Sequence, residues 1–397
     1  SVEQKGQILQ RFSTLLSSEG SEETKILSAQ MLAVPMLKES ASVNVFNSPS
    51  LKMLIESLLR EGGSYGPKLT SEMLQIVDIV IDRMPSEDIT HYRKDLLKYI
   101  WTALKCNDPT TKYHGYLAVS RFISVFDTPS KVVQQVYRSL MRDTSERISI
   151  RAALDVLLPA LNKRLIEEEL EAALKYPIRI LREESGSIPQ MAHLWESITR
   201  HHQLYSYHKS AFIPHMLQSI QLLALQPNAP SEVRKLSVDM AQLTIEWSDT
   251  SKTDIGNQVL NTIIRIAFLN AEAKPDRLQQ QIRAQTLSLI KDIVSSCKNC
   301  WLDPSNFASA LSNEGVAAQV ESKESGVEAK NSKTRKASDG GEGTKAILLL
   351  LCADIVLILL CHDPNNEFIG MKACQILNHC FTNSTLLENR KIAYAPE

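Results

Sequence analysis

One layout of amphipathic helices recurs along the chain and constrains its fold more than any other feature. A helix is followed by a short turn that contains Pro or Asp, and then by a second helix that begins near an apolar-basic pair. Three second helices carry this pair, at Ile150-Arg151, Val233-Arg234 and Ile282-Arg283. Their sequences place apolar side chains on two faces, so each helix pair must pack on the pair before it and the pair after it.

Stacked helix pairs predict an all-α fold, an α-solenoid of HEAT-like helical hairpins. In such a fold, stability is roughly a sum of terms for each repeat and its neighbours, and the stack offers a long surface rather than a catalytic cleft. The composition agrees, since 43% of the residues are hydrophobic but only 6% are aromatic. The sequence also has little of the Val-Thr-Tyr alternation that is typical of strands. We therefore expect a non-catalytic scaffold.

The helical periodicity also predicts where individual helices lie. Ser86 is expected to be the N-cap of a helix that continues to Lys105, and Asp108-Pro109 to begin the next helix. Leu217 and Leu236 are expected in the core of two adjacent helices. The predicted helices cover residues 6–16, 22–37, 49–60, 68–83, 86–105, 109–122, 131–141, 145–161, 167–182, 188–203, 211–225, 231–247, 253–270, 275–296 and 304–311.

The organisation predicted from the sequence has three parts: a HEAT-like α-solenoid over 1–311, a disordered charged insertion over 312–345, and a continuation of the solenoid over 346–397. The insertion has three Val, a few Ala and no aromatic residue, so ordering it would cost more free energy than burial returns. Its basic cluster, Lys333-Thr334-Arg335-Lys336, is either a plain solvated charge run, a nuclear-import signal or the flank of a phosphorylation site at Ser338.

The apolar run from Ala346 to Cys361 raises the question of a membrane span. Sixteen helical residues extend over roughly 24 Å, which is shorter than the hydrocarbon core of about 30 Å. Asp354 lies within the run, and Asp363-Pro364 ends it before another amphipathic helix. We therefore interpret the run as a buried solenoid helix and expect no membrane contact.

Charge and cysteine content narrow the function classes. The formal net charge of −1 argues against a chain-wide nucleic-acid surface. Most of the seven cysteines lie in apolar helical stretches, which predicts buried, reduced thiols of a nuclear or cytosolic protein. The N-terminal residues lack the apolar core of a signal peptide, and the chain is expected to be a piece of a longer protein.

A search for chemistry gives no catalytic, cofactor-binding or metal-binding residue. Cys297 and Cys300 have the spacing of a zinc pair but lack a second pair at a suitable distance. Residues 341–345 lack the full order of a phosphate-binding loop and a preceding strand. The five histidines at 193, 201, 202, 208 and 215 do not place three rings on one helix face. We therefore expect no cofactor, no metal and no small-molecule substrate.

Two stretches resemble a known family. The first includes Pro85 to Asp88, Phe126 to Tyr137 and Ala153 to Leu161; the second includes Ile180 to Glu184, Pro214 to Ser219, Arg234 to Met240 and Ile245 to Trp247. Both are similar to the middle HEAT solenoid of the transformation/transcription domain-associated family of PI3K-related pseudokinases. The resemblance is specific over residues 84–250, although this chain has Glu246-Trp247-Ser248 where the family usually has Lys-Trp-Glu.

This resemblance implies a nuclear scaffold of histone acetyltransferase complexes of the SAGA and MYST types, which docks transcription activators. It also implies an inactive kinase-like domain downstream. Two alternatives remain open: another HEAT scaffold, such as a nuclear transport receptor or a phosphatase scaffold, and the helical region of an active PI3K-related kinase. The sequence does not separate Trp195, Arg200 and Tyr207, three possible partner-binding anchors, from ordinary packing residues.

Overall fold

The computed structural model of the chain describes residues 2–248 except 19, 40–42, 47, 62–64, 146, 185 and 227–228, then isolated positions between 255 and 266, and residues 276–296. Every regular element within these described residues is helical. The chain divides into two compact units, Ser1–Tyr205 and Ser206–Glu397.

The first unit is a series of helix pairs, in which we call the first helix of each pair the A helix and the second the B helix. The A helices are α1 (Val2–Leu16), α5 (Pro49–Glu61), α8 (Arg93–Leu104), α10 (Ser130–Arg142) and α12 (Glu167–Glu183). The B helices are the segment from α2 (Glu22–Ser28) to α3 (Val34–Glu39), then α6 (Pro67–Arg83), α9 (Pro109–Val125), α11 (Arg147–Arg164) and α13 (Ile188–Arg200). Short helices α4 (Val43–Phe46), α7 (Ser86–Thr90) and α14 (His202–Tyr205) connect or follow the pairs.

The two kinds of helix form two layers in this unit. In the B layer α3 packs on α6, α6 on α9, and α9 on α11, while in the A layer α1 packs on α5. Four of the A helices, α1, α8, α10 and α12, also contact the B helix that follows them. The apolar core lies between the layers and between successive pairs.

Helix α6 shows why burial on two faces requires this stacking. Pro67 stands at its first position, where the missing N–H costs nothing. Its buried apolar side chains surround the helix axis: Leu69, Met73, Leu74, Ile76, Val77, Ile79, Val80 and Ile81. Each such side chain stabilises the fold by about 1.5–3 kcal/mol when it leaves water, so α6 needs neighbours on both sides.

The predicted helix over 22–37 contains a π-helical segment, Ala29–Ala33, that the sequence pattern did not indicate. Pro35 follows it directly. Its ring would clash with the carbonyl of Met31 in a regular α-helix, and it has no N–H to donate there. The wider turn, in which the Val34 N–H bonds to the Ala29 oxygen, accommodates this proline without ending the helix.

The single helix predicted over 86–105 is wrong, because the structure has two helices, α7 and α8, separated by His91 and Tyr92. The predicted N-cap at Ser86 is also wrong, since Ser86 is the first helical residue and Pro85 occupies the N-cap. The break has a tertiary cause. Asp88 on α7 pairs with Lys52 on α5 at 2.7 Å, and Ile89 is fully buried, so α7 is held against α5 while α8 turns its own apolar face inward.

The start of α9 is as predicted. The Asp108 carboxylate accepts hydrogen bonds from the backbone N–H and the hydroxyl of Thr111, both at 2.8 Å. These bonds hold the pKa of Asp108 below its ordinary value. Cys106, in the turn just before, is half-buried rather than buried as predicted.

The second unit contains α15 (Lys209–Ala224), α16 (Ser231–Trp247) and α17 (Arg277–Ser296), of which α16 packs on both others. Leu236 is buried on α16 as predicted. The prediction for Leu217 is wrong, because it is only half-buried. The large apolar side chains that α15 buries are instead Phe212, Met216, Ile220 and Leu223.

Several predictions lie outside the described residues. They concern the insertion over 312–345, the solenoid continuation over 346–397 with its apolar run, the helix over 304–311, and the other six cysteines. No helix in the part of the chain that the structure describes is long and apolar enough to cross a membrane.

Candidate interaction surface

Arginines at the ends of B helices connect successive pairs. Arg83, the last residue of α6, donates from Nη1 to the carbonyl oxygens of Leu37 and Lys38 at 3.0 and 2.9 Å. Arg164, the last residue of α11, donates to the carbonyls of Ile123 and Ser124 at 2.7 and 3.0 Å. The last carbonyls of a helix have no partner within it, so each arginine satisfies the end of the preceding B helix.

Helix α9 reaches α6 through an ion pair instead. Arg121 lies 3.3 Å from Asp78 and 3.0 Å from Asp82. Burial raises the pKa of the Asp78 carboxyl above its ordinary value, although the charge of Arg121 acts in the opposite direction. This contact therefore joins two pairs at a cost in desolvation.

Two acidic residues complete the polar contacts between α11 and α13. The Glu196 carboxylate lies 2.6 Å from both Arg147 and Arg151. Burial alone would raise the pKa of Glu196, but hydrogen bonds and charge from the two arginines outweigh it and hold the pKa below its ordinary value.

Asp155 has the matching role on α11. It accepts hydrogen bonds from Arg200 Nε at 3.0 Å and from His201 at 2.9 Å. Burial opposes its ionised form, yet these two partners keep the pKa of Asp155 below its ordinary value. A hydrogen bond to a charged group contributes about 1.5–3 kcal/mol, so these contacts fix how one pair sits on the next.

Three of the five histidines each have their own hydrogen-bond partner. His193 is buried, and its Nε2 lies 2.9 Å from the Leu140 carbonyl oxygen. His201 bonds Asp155, and His202 Nδ1 lies 3.2 Å from the Thr199 carbonyl oxygen. Among the described residues no group of three or more His, Cys, Asp or Glu side chains is arranged to hold a metal ion.

The three possible partner-binding anchors have different positions. Trp195 is fully buried and belongs to the core, and Arg200 is engaged with Asp155. Tyr207 is 90% exposed, in the short 3₁₀ segment Ser206–His208. Of the two aromatic residues among them, only Tyr207 has its ring at the surface.

The structure has an exposed apolar cluster that the sequence pattern did not predict. Leu27, Met31 and Leu32 project from the segment of α2 and the π-helix, with Met31 72% exposed. The π turn shifts the register here, so that Ala29, Ala33 and Val34 are the residues that face the core. A regular helical period would not have separated these two groups.

A pocket of about 600 Å³ lies between the second and third helix pairs. Its walls come from the end of α5, the start of α6, one face of α8 and the start of α9. Its lining combines apolar side chains with Arg60, Asp95, Lys98 and the buried hydroxyl of Tyr99. No sequence pattern indicated this pocket, because its walls are contributed by four separate helices.

The sequence model of the Tra1 HEAT repeat ring region matches residues 1–262 of the chain. The match extends from the first residue, and so covers more than the stretch from 84 to 250 that carries the resemblance noted in the sequence.

Curated relatives are similar over shorter ranges. Probable transcription-associated protein 1 of Dictyostelium discoideum is 29% identical over 274 residues, which is 65% of this chain and 6% of that protein. The transformation/transcription domain-associated protein of Danio rerio is 32% identical over 38% of this chain and 4% of its own length. The SAGA complex/NuA4 acetyltransferase complex subunit TRA1 of Saccharomyces cerevisiae is 31% identical over 45% of this chain and 5% of its own length. The chain thus spans only a few per cent of the length of these relatives.

Among solved structures, the karyopherin Kap121p, bound to the extreme C-terminus of the protein phosphatase Cdc14p, is similar in fold. It aligns with a TM-score of 0.50 over 96% of this chain and 38% of its own, at 12% sequence identity. At that identity the likeness shows the fold alone. It confirms the prediction of an all-helical, HEAT-repeat, solenoid-like fold.

Proposed function

The chain belongs to the family of the Tra1 HEAT repeat ring region, and from this premise we propose that it is a scaffold segment of a nuclear transcription coactivator. In this proposal it supports the assembly of histone acetyltransferase complexes, of the SAGA and MYST types, and the docking of transcription activators. It acts by surface contact alone. The observation that carries the proposal is the family match over residues 1–262, together with a relative that is named as a subunit of both the SAGA and the NuA4 complexes.

The contacts between pairs support a structural role. Arg83, Arg121 and Arg164 each bind the preceding B helix, so the polar groups of this layer hold one repeat against the next. A surface held in this way is pre-organised, which lowers the entropy lost when a partner binds. Affinity on such a surface would be spread over several repeats, with a few buried anchors.

Two further parts of the proposal concern the longer protein. We place it in the nucleus, because its relatives are named as a transcription-associated protein and as a subunit of acetyltransferase complexes. We also propose that its kinase-like domain is inactive and that this segment is not an enzyme. Its partners are then the protein subunits of these complexes and transcription activators, without nucleic acid, membrane or small-molecule substrate.

The two alternatives receive less support. The likeness to a karyopherin is a likeness of fold at 12% identity, and it does not favour a transport function. An active PI3K-related kinase would require an intact catalytic loop downstream. Reading the residues that follow Glu397 in the full-length protein would separate an intact kinase domain from an inactive one.

The proposal is tested on the full-length protein by affinity purification and mass spectrometry. The wild type is expected to recover acetyltransferase subunits, and deletion of residues 84–250 is expected to lose an activator or the integrity of the complex. Circular dichroism of the purified deletion variant, compared with the wild type, checks that the remaining helices are folded. Recovery of only transport cargo or phosphatase subunits by the wild type would show that the coactivator function is wrong.

A further inference from the structure

The exposed apolar cluster on the first B segment is a group of neighbouring side chains rather than one isolated residue. Leu27, Met31 and Leu32 are 59, 72 and 54% exposed. Single exposed apolar side chains are common on protein surfaces, whereas contiguous exposed groups mark sites of contact with other molecules. Methionine and leucine side chains also adapt readily to the shape of a partner.

The π-helical segment keeps this cluster in solvent. Within it Ala29 and Ala33 are fully buried, so the core-facing positions are occupied by small residues and the large ones face outwards. The backbone, rather than the choice of a side-chain rotamer, therefore sets the exposure. π-helical turns inside α-helices occur frequently at functional sites.

A groove of about 430 Å³ lies beside the cluster, between the first B segment and α6. Its apolar lining comes from Val34 and Pro35. Across the groove, the Glu72 carboxylate accepts hydrogen bonds from Gln30 at 2.7 Å and from Gln75 at 2.8 Å. These bonds connect the two walls, so the groove is formed before a ligand binds.

The charges beside the groove and the cluster are mostly negative. Glu72 is bonded to neutral amides, and Glu39 lines the same groove in an exposed position. Glu23 is exposed one turn before Leu27. Within the described residues neither Glu23 nor Glu39 forms an ion pair. With Lys38, the cation of the groove lining, these groups have a net charge of −2.

The surrounding charges do not change this sign. Glu22 adds one carboxylate, while Lys25 donates to carbonyl oxygens at the end of α1. Arg83 at the end of α6 lies 3.9 Å from Asp82, which offsets its charge. An apolar surface with a negative rim favours a ligand that has an apolar face and positive charge.

We propose that the exposed apolar cluster and this groove bind a basic amphipathic helix of a partner protein. The apolar face of that helix packs on the cluster, and one of its apolar side chains enters the groove beside Pro35. Its lysine or arginine side chains pair with Glu23 and Glu39. Packing of an amphipathic helix into a groove is a recurrent mode of recognition. The inference rests on the proposed scaffold function, since it names the chemistry of one partner of that scaffold.

The test uses fluorescence anisotropy with the whole chain and a labelled peptide of about 18 residues, with leucine at helical spacing on one face and lysine elsewhere. A peptide of the same composition in shuffled order, without an apolar face, should bind about tenfold more weakly. A peptide with glutamate in place of lysine should also bind more weakly, because the rim is negative.

Variants of the cluster test its apolar part. L27A/M31A should bind the basic helical peptide about tenfold more weakly than the wild type does. The control is I148A/I166A, which truncates two other apolar side chains that are 74 and 64% exposed and which should bind within about twofold of the wild type. Circular dichroism checks that both variants are folded.

Variants of the rim test its charge. E23Q/E39Q should bind the same peptide several-fold more weakly and with a smaller dependence on salt. E167Q/E168Q removes the same charge from exposed positions at the start of α12 and should leave the affinity within about twofold of the wild type.

Oxidation of Met31 by hydrogen peroxide gives an independent readout by mass spectrometry. Bound peptide should slow it, while Met53, which is 47% exposed on α5, is the internal reference. In the purified full-length protein, Met31 should react about as fast as Met53. A rate as slow as that of the fully buried Met73 would show that another part of the longer protein covers the cluster, which would overturn the proposal.

Four further outcomes would also overturn it: equal binding of the helical and shuffled peptides, tighter binding of the glutamate peptide, equal affinities of L27A/M31A and its control, and oxidation of Met31 that saturating peptide does not slow. Sedimentation velocity tests for a second copy of the chain as the occupant. A dimer of the wild type that L27A/M31A abolishes would contradict a partner helix.

The two proposals fail in different ways. If the full-length protein recovers acetyltransferase subunits but the helical peptide does not bind, the assignment of this surface alone is wrong. If the peptide binds and no such subunit is recovered, the scaffold function is wrong.

Discussion

Arg164 and Ile123 are joined by a hydrogen bond of 2.7 Å, in which the arginine Nε at the end of α11 donates to the carbonyl oxygen in the last turn of α9. The arginine side chain is only 14% exposed, and its Nη2 donates to Ser124 as well. The end of one B helix therefore closes the end of the previous one, which couples two repeats through backbone atoms rather than through side chains alone.

Replacing Arg164 with alanine should destabilise both repeats by about 1.5–3 kcal/mol, because two carbonyl groups lose a charged donor in a largely buried place. Hydrogen exchange measured by mass spectrometry should become faster in α9 and α11. The matched control is Arg179→Ala, whose side chain is 72% exposed in a pair with Glu183 and should contribute little, because water and salt screen an exposed ion pair. Equal effects of the two variants would contradict the coupling.

Leu236→Ala should cost roughly 2–5 kcal/mol, through lost burial and the cavity that remains in α16. Leu217→Ala should cost clearly less, because that side chain is only half-buried. Thermal melts followed by circular dichroism measure both. A shift of less than a degree for Leu236→Ala would show that its assignment to the core is wrong.

The stability of the first unit should depend on His114 between pH 6.5 and 4. Burial, with a smaller effect of the Lys38 charge, lowers the pKa of His114 to about 4, so the folded state holds this ring neutral. The unfolded state takes up the proton near its ordinary pKa of about 6.5. The free energy of unfolding is therefore unaffected by this ring above pH 6.5, and it decreases as the pH falls towards 4 because only the unfolded state takes up the proton.

Urea denaturation of the wild type and of His114→Asn across this range checks the sign. As the pH is lowered from 6.5 to 4, the free energy of unfolding of the wild type should fall relative to that of the variant, by about 1–3 kcal/mol in total. Parallel pH profiles would contradict a His114 that the folded state holds neutral.

Limited proteolysis tests the predicted charged insertion over 312–345. Trypsin should cut first in that segment, because it offers few side chains for a core and several basic residues. Two helical fragments should remain. First cuts between Ile213 and Trp247 would count against this organisation.

Titration calorimetry tests the absence of a nucleotide or metal function. The sequence contains no phosphate-binding loop and no kinase catalytic loop, so Mg-ATP and zinc should give no stoichiometric heat with the purified chain. A saturable event in the micromolar range for either ligand would show that the chain is more than a scaffold.

The sequence by itself determined the class of fold and most of the helices. Amphipathic periodicity with apolar residues on two faces requires stacked pairs, and residues such as Asp108 and Pro67 fix helix starts through their own side chains. The α16 bounds, Ser231–Trp247, are those predicted, because a strong period lies between a proline and a polar turn. Local chemistry decides these features, so a sequence is enough to predict them.

The tertiary structure alone decided what depends on a distant neighbour. The break at His91 follows from contacts of α7 with α5, and the half-burial of Leu217 depends on which face of α15 packs on α16. The similar sequence pairs Ile150-Arg151 and Val233-Arg234 place their arginines in different environments, since Arg151 pairs with Glu196 while Arg234 is buried. The pocket beside Tyr99 depends on four helices at once. Side-chain burial and pairing are properties of the three-dimensional packing, and partners some 35 to 50 residues apart leave no local pattern in the sequence.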